Sequence, residues 1–311
     1  MAWWALLACG GGGSGGGEEK EAVEEPLPWI FEGDTLPEPS LTAEAAAAAL
    51  LEGVALAMER TAVPVFPAYE AAMAGQSAGC PDYYEAEGNV YWYDNCTGSD
   101  GSGFSGYSFY TRYDQVDGGD GLIYDGEALS GVARVETPEG HVFDAGGSAY
   151  YYAAHHEGTG DADPSYDYFT SIVQGSFSYD GPEAAGTWVA EGEAPDITLQ
   201  AGYLPALDAR LAILDGSVSG LSGEVSYLVF DALTAFSPAI STCAAEPGGG
   251  FSARAADGYW YDVVFDGPLE WGQQVDRGVC DGCGRMYFQG EEVGEVCVGD
   301  LGLLAWGVAP W

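Results

Sequence analysis

Gly75-Gln76-Ser77-Ala78-Gly79 has the GxSxG spacing in which a serine on a sharp strand-to-helix turn attacks a carbonyl carbon. His155 or His156 would have to act as its base. An alanine-rich, helix-like stretch precedes the pentapeptide and Cys80-Pro81 follows it, the reverse of the order that turn requires. The His155-His156 pair is followed by Glu157, Asp161 and Asp163, residue types that bind metals. Neighbours on a strand point to opposite faces, so both imidazoles reach one ion only where the strand ends. Asp114, Asp117, Asp120 and Asp125 gather four carboxylates among glycines, the hard oxygen chemistry of calcium. Their spacing is neither that of an EF-hand nor that of a β-roll repeat, and solvated acidic turns are the default explanation. With 49 acidic residues in the chain, no carboxylate pair for glycoside hydrolysis stands out.

Aromatic residues offer binding rather than catalysis. Tyr91-Trp92-Tyr93-Asp94 and Tyr259-Trp260-Tyr261-Asp262 repeat one tetrapeptide, each with a cysteine upstream (Cys80, Cys243). Sugars stack on exposed rings while carboxylates and amides take their hydroxyls, which makes Tyr91, Trp92, Tyr259 and Trp260 candidate stacking residues. Strand alternation puts Tyr91 and Tyr93 on one face, with Trp92 and Asp94 on the other. Tyrosines at alternate positions also simply coat a sheet, so a protein or glycan partner stays open.

The elements that must position these groups are mostly strands. The 311-residue chain has 48 glycines and 20 tyrosines, and long helical patterns are scarce. Thr42–Arg60 is the exception: it is rich in alanine and leucine, with Glu44 near its start and Arg60 at its end, as the helix dipole prefers. Gly53 weakens it, and Pro64 and Pro67 stop it or lie just beyond. From about residue 83, short apolar–polar runs alternate with Asp-Gly and Gly-Gly turns, in eleven candidate strands between Asn89 and Gly290. No helical crossovers separate them, which predicts an antiparallel meander closing into a barrel or sandwich, with one N-terminal helix on residues 41–66 and a β body on 67–311. The repeated tetrapeptide allows two related halves split near residue 195.

Charge limits the partners. Eight lysines and arginines against 49 acids give a net charge of −41, which repels nucleic acid and anionic headgroups and excludes a nucleic-acid role.

The N-terminus bears on location. Residues 2–8 are wholly apolar, and Leu6-Leu7-Ala8-Cys9 resembles the lipobox of bacterial lipoproteins. The resemblance implies that residues 1–8 are the end of a signal peptide, that Cys9 is lipidated, and that translation starts further upstream, since no basic segment precedes the apolar run. Gly10 after the cysteine, in place of aspartate, is similar to lipoproteins sent to the outer membrane. Residues 9–40, rich in Gly, Glu and Pro, read as a tether; about thirty such residues span roughly 30 Å. Six cysteines remain beyond Cys9: Cys80, Cys96, Cys243, Cys280, Cys283 and Cys297. In an oxidising compartment an even count suggests three disulfides, with Cys80–Cys96 the most local pair. The competing arrangement is zinc, because Cys280-Asp281-Gly282-Cys283 resembles a zinc-knuckle turn. These readings describe a cell-envelope lipoprotein serving in binding or surface structure. No cofactor is expected beyond a calcium ion, and an extracytoplasmic esterase- or glycosidase-like hydrolase is the rival class.

Overall fold

The computed structural model describes residues 37–86, 89–117, 122–160, 164–182, 186–189, 196–237, 246–270, 273, 275, 280–299 and 301. Helix α1 (Ala43–Glu59) starts where the sequence predicts: Thr42 is the N-cap, and its Oγ1 accepts the Ala45 N–H at 3.2 Å. The face formed by Ala46, Ala49, Leu50, Gly53, Val54 and Ala57 is buried. Gly53 is more than a weak point in the helix. A Cβ there would lie 2.4 Å from Leu228 Cδ1 and 3.3 Å from both Phe230 and Val218, so glycine is what lets the helix lie this close to the sheet. The expectation of a single helix is corrected by α2 (Val65–Met73), which begins directly after Pro64. Pro67 sits in its first turn, where a missing N–H costs no intrahelical bond. The prolines thus separate two helices rather than ending helical structure.

Fourteen strands follow among the described residues: β1 (Tyr83–Ala86), β2 (Asn89–Thr97), β3 (Gly103–Asp117), β4 (Leu122–Glu136), β5 (Val142–His156), β6 (Tyr166–Tyr179), β7 (Gly186–Val189), β8 (Asp196–Leu204), β9 (Ala209–Ser219), β10 (Val225–Phe236), β11 (Gly248–Ala255), β12 (Trp260–Asp266), β13 (Cys283–Phe288) and β14 (Glu291–Cys297). All belong to one antiparallel sheet, a meander in which each strand pairs with the next. The one detour is at β6. Its C-terminal part pairs with β7 at Ser176–Tyr179, and the rest pairs with β8 from Asp167 to Gln174.

The expected barrel does not close. β1 and β14 are the two free ends of the strand path. The physical reason lies in the helices, which cover the apolar face that closure would otherwise bury. α1 touches β9, β10, β11 and β14. Five strand spacings separate β9 from β14, about 24 Å if the sheet were flat, more than twice a helix diameter of about 10 Å. The sheet therefore curls around α1. The second helix packs likewise against β4, β5, β6 and β7. Two buried clusters result, a first core around α2 on β2–β6 and a second core around α1 on β8–β14. No helix among the described residues is long and apolar enough to cross a membrane.

Curvature in the first part is built from a row of small residues. Ser108, Gly131, Gly147 and Gly175 stand in register across β3–β6. A Cβ at Gly147 would fall 1.9 Å from the Gln174 carbonyl oxygen, so only glycine permits this approach of β5 to β6. Tyr69 of α2 spans the row. Its ring lies 5.6 Å from Tyr110 on one side and 5.6 Å from Phe143 on the other. Its hydroxyl bonds Ser108 Oγ at 2.9 Å and accepts the Trp92 Nε1 proton at 3.1 Å.

Two disulfides hold the ends of the sheet. Cys80–Cys96 ties the turn before β1 to the end of β2, and Cys283–Cys297 joins paired positions of β13 and β14. Cys280 is disulfide-bonded as well, so the thiolates that a zinc knuckle would need are oxidised; Cys243 lies outside the described residues.

Candidate functional site

The outward face of β1–β3 carries an exposed aromatic terrace. Tyr84, Tyr91 and Phe109 are directly paired across the three strands, with ring centroids 6.5 Å and 4.7 Å apart. Tyr93 and Tyr107 form a second row beside them, which Val132 of β4 extends. Exposure is high: 82% at Tyr93, 68% at Tyr84 and 49% at Tyr107. The inward alternates explain why the outward rings are left over. Trp92, between Tyr91 and Tyr93, is only 2% exposed and closes the first core against Phe104 and Tyr69. Alternation thus separates the residues as the sequence predicts, but Trp92 itself offers no surface for stacking.

A shallow groove of about 600 Å³ runs over these rings, and Asp82 borders it. A smaller hollow of about 290 Å³ continues it past Tyr93 to Asp94, Asn95 and Ser105. Asp94 is fixed as a local cap: its Oδ2 accepts the Asp82 N–H at 2.9 Å and its Oδ1 the Asn95 N–H at 2.6 Å. The Asp82 carboxylate has no hydrogen-bond or ion-pair partner among the described residues.

The second copy of the tetrapeptide has the opposite phase. Here Tyr261 is 0% exposed and stacks on Phe288 at 4.7 Å, while Trp260 is 41% exposed on the outer face. Trp260 meets Tyr227 edge-on at 5.9 Å, and Tyr259 meets Phe288 at 5.8 Å. A one-residue offset exchanges the buried and exposed sets of a strand, so the identical strings do not mark equivalent positions.

The catalytic patterns are not assembled. Ser77 follows a helix and opens a tight turn closed by its two backbone bonds with Cys80, with Gly79 at φ 84°. That is not a strand entering and a helix leaving. His155 Nδ1 lies 2.7 Å from Asp167 Oδ1, while His156, on the other face, packs on Tyr166. Asp161 and Asp163 lie outside the described residues.

Among the calcium candidates Asp120 is likewise outside. The Asp125 carboxylate accepts the Gln115 backbone N–H at 2.9 Å and its side-chain amide, holding the bulge where Gln115 adopts φ 50°. No group of three or more His, Cys, Asp or Glu side chains among the described residues is placed to hold a metal.

Two carboxylates that the sequence does not single out do structural work. Glu127 accepts the Tyr110 hydroxyl at 2.5 Å and the Tyr151 hydroxyl at 2.7 Å. Burial first, and then this carboxylate, pushes both phenols above their ordinary range. Buried Glu246 accepts the Asp266 N–H at 2.9 Å and the Asp281 N–H at 3.0 Å, joining the end of β12 to the turn before β13. Burial outweighs these bonds and raises its carboxyl pKa.

No family model, curated protein or solved structure matches the chain. The functional reading therefore rests on the terrace and the N-terminal sequence.

Proposed function

We propose that the chain is a lipid-anchored binding protein of the bacterial cell envelope. Cys9 is its anchor in the outer membrane, residues 9–40 are its tether, and the aromatic face of β1–β3 is its recognition surface. The observation that carries the binding role is the set of four contiguous tyrosines, Tyr84, Tyr91, Tyr93 and Tyr107, turned to solvent on a disulfide-tied end of the sheet. Contiguous exposed aromatic surface of this kind marks interaction sites rather than ordinary solvent-facing sheet. The lipobox-like Leu6-Leu7-Ala8-Cys9 and the glycine–glutamate run after it support the anchor. An esterase with Ser77 as its nucleophile is disfavoured because that residue sits in a turn of the wrong geometry.

Two substitutions in the native host test the two parts separately. Cys9→Ser is expected to move the protein from the membrane pellet to the soluble fraction. Tyr93→Ala with Tyr107→Ala is expected to leave it in the pellet and weaken ligand binding. Unchanged fractionation of Cys9→Ser overturns the anchor.

A further inference from the structure

We propose that the terrace is a docking site for an extended, arginine-bearing segment of a partner protein, whose guanidinium groups lie on the tyrosine rings. This rests on reading the chain as a binding module and names the ligand class. The faces of aromatic rings attract cations, and guanidinium stacks on them flat. Tyr84, Tyr93 and Tyr107 present such rings to solvent. The field around them is strongly negative: the chain carries −41, and the unpartnered Asp82 borders the groove. Arg134, one strand beyond Ser105 on the same face, is already neutralised by Asp144 at 2.8 Å. Among the described residues, no cationic side chain lies over these rings.

Geometry favours a peptide over a compact cation. The groove spans three strands and ends at β1, the terminal strand of the sheet path. The outward backbone edge of β1 has no hydrogen-bond partner among the described residues. An extended segment can add to that edge as a strand, and alternate side chains would then fall on the ring face. A neutral sugar chain would use the rings but gain nothing from the charge, and an anionic ligand would be repelled.

The test measures binding of a fluorescent peptide of alternating arginine and threonine, about eight residues long, to the full detergent-solubilised chain by anisotropy. A glutamine-for-arginine peptide and a neutral oligosaccharide are run beside it, at about 0.15 M and about 0.5 M salt, because screening removes diffuse attraction first. Tyr93→Ala and Tyr107→Ala are each expected to weaken the arginine peptide about two- to five-fold, and roughly ten-fold together. Asp82→Asn, which leaves the rings in place, is expected to weaken it about two-fold. Tyr259→Ala with Trp260→Ala, of equal net charge, is expected to change nothing. Arginine-peptide binding that the Tyr93 and Tyr107 variants leave unchanged overturns the proposal. If those variants weaken only the oligosaccharide, the proposal falls and the binding module stands. If they alter neither probe, both fall.

Discussion

Replacing Gly53 by alanine tests the helix-on-sheet packing that shapes the second core. By intrinsic propensity alone, alanine should stabilise α1 by about 1 kcal/mol. The structure opposes this with an added methyl 2.4 Å from Leu228 Cδ1 and 3.3 Å from Phe230 and Val218, all three buried. Overpacking of this kind costs about 1–3 kcal/mol. The close contact is with the end of one side chain, but Leu228 is fully enclosed and has little room to turn, so the clash outweighs the propensity. The net expectation is a loss of up to about 2 kcal/mol, read by thermal melting as a fall of up to roughly 6 °C. A double-mutant cycle with Leu228→Ala isolates the cause: removing the struck side chain should relieve the Gly53→Ala penalty by at least about 1 kcal/mol. A Gly53→Ala protein more stable than the parent, with no coupling to Leu228, would refute the packing of α1 on β10.

Other consequences follow from the first core, the disulfides and the phenols. Gly147→Ala forces a methyl into the Gln174 carbonyl and should cost at least about 3 kcal/mol, seen as poor soluble yield or a lowered denaturant midpoint; a near-neutral effect contradicts the β5–β6 pairing. Reducing Cys80–Cys96, which closes a loop of 16 residues, should lower stability by about 3 kcal/mol, checked by melting Cys80→Ala/Cys96→Ala beside the parent. Burial raises the folded-state pKa of Tyr69, Tyr110, Tyr150, Tyr151 and Tyr168 above the value of about 10 in an unfolded chain. Their contribution is therefore fully present below pH 10 and is lost as pH climbs through the folded-state values. Tyrosinate absorbance should show these five ionising only with unfolding. Glu127→Gln should bring Tyr110 and Tyr151 down; a single step unaffected by that change contradicts the clamp.

Much of the fold was legible because its signals are local. Thr42 and the alanine run mark α1, and the Asp-Gly pairs at 100–101, 180–181, 257–258 and 266–267 do fall between strands or at a strand's end, whereas Asp125-Gly126 and Asp215-Gly216, which read as turns, lie inside β4 and β9. Cys80 and Cys96 are close enough in sequence to suggest their bond. The misses were of three kinds. β8 (Asp196–Leu204) begins directly after Pro195, and the proline hid a strand that alternates well. β14 is rich in glutamate because one face meets water, so it lacks the usual strand composition. Closure and burial phase depend on the partners of each strand. The sequence could place Tyr91 and Trp92 on opposite faces, but the interior side is chosen by Tyr69 and Phe104. For the same reason the terrace was only half visible: Tyr84, Tyr107 and Phe109 join Tyr91 and Tyr93 through cross-strand register. Gly53 read as a defect because the sequence shows its propensity but not Leu228.

The central claim, an anchored extracytoplasmic module, meets its most direct test in the intact mass of the protein from the membranes of its native host. The expected species is a polypeptide beginning at Cys9, heavier by a lipid modification on that residue, with the other six cysteines taking up no alkylating agent. A soluble, unprocessed chain carrying Met1 and six alkylatable thiols would contradict it.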